Sequence, residues 1–122
     1  MNLSPLRRGD IVISIFPFTD LTSTKRRPAL VLNENSEFAD VVLAFISSKI
    51  PAKLSKTMML LDSNETDFKN CGLKTSSIIR LDKLATVQRI LITRRLGKLS
   101  RGKNQAVDRA LIKALNIQLP KA

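Results

Sequence analysis

The sequence predicts a mainly β domain with one C-terminal α-helix, its strands arranged as an antiparallel barrel or sandwich. Three observations predict it. Short runs rich in β-branched and other apolar residues recur from Asp10 to Val87. The connections between them read as turns rather than helices, which favours antiparallel pairing over a parallel sheet. Only from Arg101 onward does the apolar spacing change to that of one helical face.

Taken in order, Asp10 to Phe16 (DIVISIF) is the first strand, too short and too β-branched for a helix. Pro17, Thr19, Asp20 and Thr22-Ser23-Thr24 make a polar connection that ends at Pro28, whose ring admits only a strand start or edge. The second strand is therefore expected over Ala29 to Asn33. A turn with acidic character follows over Asn33 to Phe38. Asp40 to Ile46 (DVVLAFI) is the third strand, its continuous apolar run implying burial on both faces, with Ser47 at its exit. A loop with Pro51 leads to a fourth short strand at Thr57 to Leu61. Ser77 to Leu81 and Leu84 to Val87 are expected as two further short strands. A short helix is expected around Ile92 to Gly97, with Gly97 as its stop. The last element is a helix over Arg101 to Ile117, with Ser100 as N-cap and Ala106, Val107, Ala110, Leu111, Ala114 and Leu115 on its inner face.

Composition narrows the class. The 122 residues, 43% of them apolar, suffice for one core without metals or disulfides, so residues 1–122 are expected to form a single domain. One cysteine, Cys71, has no partner for a bridge and suits a reducing cytosol. No apolar run approaches the roughly 18 residues of a membrane span, so the expectation is a cytoplasmic protein that engages no membrane. The net charge is +11, and ten basic residues against one acidic residue, Asp82, lie between Lys69 and Lys103. A field of that sign gathers polyanions.

The residue inventory then excludes much chemistry. With no histidine, Ser-His-Asp and Cys-His systems are ruled out. No metal site is expected, because the carboxylates are scattered among basic residues, and Asp62 to Asp67 (DSNETD) lacks the glycine that a calcium loop needs at its sixth position. No phosphate-binding glycine loop occurs. What remains is arginine and hydroxyl. RNA supplies its own nucleophile, the 2′-OH, so a protein that cleaves it must position that group and stabilise charge on phosphorus. Arg27, stiffened by Pro28, presents forked donors that match two phosphate oxygens, and Ser47 is a hydroxyl one strand later. From the residues alone, an arginine on a barrel edge and a serine closing a strand are the simpler explanation of both, since Arg-Pro and Ser-Ser are common dipeptides.

The ordered set GDIVISIFPFTD (Gly9 to Asp20), KRRPALVL (Lys25 to Leu32), LAFISSKI (Leu43 to Ile50), LKTSSIIRLDKLATV (Leu73 to Val87) and RRLGKLS (Arg94 to Ser100) resembles the MazF/PemK family of toxin endoribonucleases, over nearly the whole chain. The resemblance implies an SH3-like barrel, a homodimer, and cleavage of single-stranded mRNA without metal or other cofactor, leaving a 2′,3′-cyclic phosphate and a 5′-hydroxyl. It also implies a cognate antitoxin as partner. The family's catalytic arginine falls on Arg27 and its catalytic threonine on Ser47. Serine keeps the hydroxyl but loses the β-branch that restricts χ1, which leaves it less firmly aimed. The family's RNA-contacting positions fall on Ser77 and Lys83. Lys25, Arg26, Ser48 and Lys49 are expected to gather the RNA backbone, and Phe18, the exposed member of the Phe16/Phe18 pair, to stack on a base.

Two other functions suit the same barrel. One is a gyrase poison of the CcdB type; the tryptophan-bearing C-terminal tail of that family is missing here, where the chain ends Leu119-Pro120-Lys121-Ala122. The other is an RNA-binding barrel that has lost catalysis at Ser47.

Overall fold

A computed structural model describes residues 5–16, 25–34 and 39–121. Its strands are β1 (Asp10–Phe16), β2 (Lys25–Val31), β3 (Asp40–Ser47), β4 (Met58–Leu61), β5 (Ser77–Gln88) and β6 (Ile92–Lys98), followed by helix α1 (Arg101–Ala114). They form one six-stranded sheet in the order β4-β5-β3-β2-β1-β6, with antiparallel pairing throughout. The sheet is rolled and barrel-like but open between its outer strands, β4 and β6. A 3-10 turn at Phe68–Cys71 packs beside β6 where the roll comes round.

Strand alternation sends side chains to two apolar clusters. Ile11, Leu30, Ala44, Ile46, Ile79 and Leu81 belong to the first, which α1 covers with Val107 and Ala110. Val12, Phe16, Ala29, Val31, Leu43 and Val87 belong to the second. In β3, Leu43 and Ala44 are fully buried on opposite faces, as the apolar run predicts, but from Phe45 onward one face opens.

Four elements depart from the sequence reading. Strand β2 begins at Lys25, three residues before Pro28. Residues 25–28 pair with β1 alone, since pairing with β3 starts at Ala29, so Pro28 occupies the one-sided position that tolerates a missing N–H. The two strands expected at Ser77 to Leu81 and Leu84 to Val87 are one bent strand, β5. Its pairing with β3 jumps from Phe45↔Arg80 to Ala44↔Leu84, leaving residues 81–83 as an irregularity. That odd insertion reverses the alternation: Ile79 and Leu81 face the α1 side, whereas Ala85 and Val87 face the other.

The helix expected at Ile92 to Gly97 is instead strand β6, because pairing with β1 outweighs the local helix preference of Leu and Arg. Gly97 stops nothing. A Cβ there would lie 2.2 Å from the Asn70 carbonyl oxygen, so only glycine lets the strand meet the 3-10 turn. Helix α1 starts as expected, with Ser100 Oγ accepting from the Lys103 N–H at 3.4 Å. It ends at Ala114 rather than Ile117, since Asn116 takes a left-handed conformation (φ 54°) that terminates the run. Leu115 and Ile117 are consequently exposed. No helix among the described residues is long and apolar enough to cross a membrane.

Candidate active site

Arg27 and Ser47 come from neighbouring strands. The last paired residues of β2 and β3 are Ala29 and Phe45. Carrying that register on by two residues brings Arg27 level with Ser47 on the same face, beyond the point where the ladder ends. The splayed strands leave an open cleft of about 590 Å³, and both side chains line it.

Ser47 does not swing freely. Its Oγ accepts a hydrogen bond from the Lys49 N–H at 3.1 Å, which occupies a lone pair and leaves the O–H to donate outward. The backbone thus supplies part of the restraint that a β-branch would have given. Arg27 is exposed and makes no hydrogen bond or ion pair with any described residue, so its fork is available to a ligand.

The far wall is β5, and here the irregularity matters. Because residues 81–83 reverse the alternation, Arg80 and Lys83 both reach the cleft. Arg80 Nε and Nη2 donate to the two carboxylate oxygens of Asp82 at 3.2 and 2.8 Å. That two-point hydrogen bond holds the Asp82 carboxyl below its ordinary pKa and raises that of Arg80. Lys83 places its ammonium 4.8 Å from the centre of the Phe45 ring. Among the described residues, the charged groups lining the cleft are all cations: Arg27, Lys49, Arg80 and Lys83.

Of the residues anticipated from sequence, Arg27, Ser47, Lys49 and Lys83 are therefore brought together. Lys25, Arg26 and Ser48 are exposed and do not line the cleft. Alternation turns Arg26 to the opposite side of β2 from Arg27. Ser77 is not brought in: it is 4% exposed, and its hydroxyl donates to the Thr75 carbonyl at 3.0 Å. Ile78 and Arg80 take the cleft-facing positions of that strand instead. Phe16 is fully buried, and Phe18 lies outside the described residues.

Phe45 and Arg80 were missed. Phe45 was legible in principle, as it stands two residues before Ser47 on a strand and so shares its face. Arg80 was not, because its place opposite Phe45 is set by the pairing of β5 with β3.

A comparison with protein families matches residues 7–115 to the PemK-like, MazF-like toxin of type II toxin-antitoxin systems. The chain belongs to that family. Solved structures agree on the fold of the toxin. A mycobacterial endoribonuclease in complex with its cognate antitoxin superposes with a TM-score of 0.71 at 20% identity, covering 96% of this chain and 100% of that one. The Mycobacterium tuberculosis toxin MazF-mt6 gives 0.71 at 21% identity, covering 90% and 99%. MazF from Deinococcus radiodurans gives 0.68 at 18%, covering 95% and 100%. At these identities the structures bear on the fold alone. A comparison with curated protein sequences finds no match.

Proposed function

We propose that this toxin is an endoribonuclease that cleaves single-stranded mRNA, without metal, at the cleft between β2, β3 and β5. The observation that carries the reading is the register that sets Arg27 level with Ser47 in a cleft whose described charges are all positive. Arg27 forks onto the two non-bridging oxygens of the scissile phosphate and takes up the charge that grows on them. Ser47 donates its O–H to the same phosphate and fixes it, while Lys49 holds the adjoining backbone. The substrate's 2′-oxygen bonds to phosphorus and the bond from phosphorus to the 5′-oxygen breaks. The 2′-hydroxyl proton leaves, and a proton reaches the departing 5′-oxygen, giving a 2′,3′-cyclic phosphate and a 5′-hydroxyl end. An open cleft lets water carry both protons.

The expected partners are the RNA, a second copy of the chain, and an antitoxin whose acidic segment neutralises the basic cleft. A neighbouring structure does contain its own cognate antitoxin, which supports the last of these.

Arg27→Ala tests the reading. With purified protein and single-stranded RNA in EDTA, the wild type should cut, and the variant should lose about 100- to 1,000-fold in rate while melting at the same temperature. An unchanged rate in the variant would refute the site. RNA retained by the wild type without cutting would point to a binding barrel.

A further inference from the structure

The ring of Phe45 has two different neighbours. Phe16 packs against it, ring centres 4.6 Å apart and tilted by 39°, and the Lys83 ammonium stands over it at 4.8 Å. Phe16 is fully buried, so the pair is anchored, and Phe45 itself lines the open cleft. Along β3 it precedes Ser47 by two residues, which places it on the same face about 7 Å away. A nucleotide whose phosphate rests on Ser47 and Arg27 therefore reaches Phe45 with its base.

We propose that Phe45, buttressed by Phe16, is the platform on which one unpaired nucleobase beside the scissile phosphate stacks, with Lys83 moving to that base's edge and favouring uracil over cytosine. The inference rests on the ribonuclease reading and names what that site selects. Stacking of a base on an aromatic ring is worth more than an exposed cation–π contact, so the base displaces the ammonium from the ring. Lys83 then remains within reach of the base edge, where an ammonium can only donate hydrogen bonds. Arg80 beside it also only donates, and no carboxylate lines the cleft among the described residues. A carbonyl at position 4 of a pyrimidine is matched by such surroundings, whereas an amino group there meets only cations among the described charged groups that line the cleft.

The test uses 12-nucleotide 2′-O-methyl oligomers, which cannot be cut because the attacking hydroxyl is blocked. Oligo-U, oligo-C and an abasic 12-mer of the same charge are titrated by fluorescence anisotropy. Wild-type protein should bind oligo-U roughly 10-fold more tightly than the abasic chain. Phe45→Leu, which keeps apolar volume beside Phe16, should remove most of that ratio and leave abasic binding unchanged. Lys83→Met should bring the oligo-U to oligo-C ratio close to one. A Phe45→Leu protein that retains the wild-type ratio of oligo-U to abasic binding overturns the platform. A Lys83→Met protein that keeps its preference for U overturns the edge contact. Parallel cleavage of unmodified RNA separates this failure from that of the parent reading: wild-type cutting with base-indifferent binding removes the subsite alone, while neither cutting nor binding removes both.

Discussion

The Arg80 guanidinium holds the Asp82 carboxylate at two points across the bend of β5, Nε to Oδ1 and Nη2 to Oδ2. The pair spans the irregularity that turns both Arg80 and Lys83 toward the cleft, so it links the bend to the site.

A pH dependence follows. The hydrogen bond from Arg80 lowers the Asp82 pKa in the folded state, so the pair stabilises the fold above the unfolded carboxylate value of about 3.9. That contribution is lost as pH falls through the lowered folded value. Arg80→Ala should raise the Asp82 titration midpoint, read by NMR at its side-chain carboxyl carbon. The stability gap between wild type and variant, measured by urea unfolding, should be present at pH 7 and shrink below about pH 4. With a third of the Asp82 side chain exposed, solvent screening keeps the gap small.

At Ser47 the hydroxyl and its restraint are separable. Ser47→Ala should lower kcat by about 10- to 100-fold, the value of a hydrogen bond to a charged phosphate. Ser47→Thr should stay within about 3-fold of wild type, because the Lys49 N–H already orients the oxygen. Single-turnover cleavage of one RNA substrate by the three proteins decides it.

Gly97→Ala should destabilise the protein by about 2 kcal/mol or more, since the added methyl meets the Asn70 and Cys71 backbone rather than a movable side chain. Urea unfolding should show the loss.

Ser100→Ala should cost about 1 kcal/mol by removing the acceptor for the Lys103 N–H at the start of α1. Thermal unfolding followed by circular dichroism at the helix band measures this, and Ser100→Asp should retain the cap.

Much of the fold was legible from periodicity. Strands β1, β3 and β4 and the start of α1 lie within a residue of where β-branched runs and the Ser100 cap put them. The misreadings share a cause. Lys25 to Pro28, Leu81 to Lys83 and Ile92 to Lys98 each take their conformation from a neighbouring strand, or from the lack of one, and not from their own propensity. The site divides likewise. Arg27, Ser47, Lys49 and Lys83, each legible as a candidate in the sequence, line the cleft, whereas Ser77 is buried away from it, and the place of Arg80 opposite Phe45 is set by strand pairing alone.

By itself, the chain's order of residues determined the β-rich class, the terminal helix, the basic charge and the absence of imidazole. These are properties of composition and short-range spacing, which need no partner strand to exist. Only the tertiary structure decided which side chains share a cleft. Facing direction in a sheet alternates with every residue, so a displacement of three in β5 against β3 reverses it, and that displacement is set by pairing between strands some 40 residues apart in the chain.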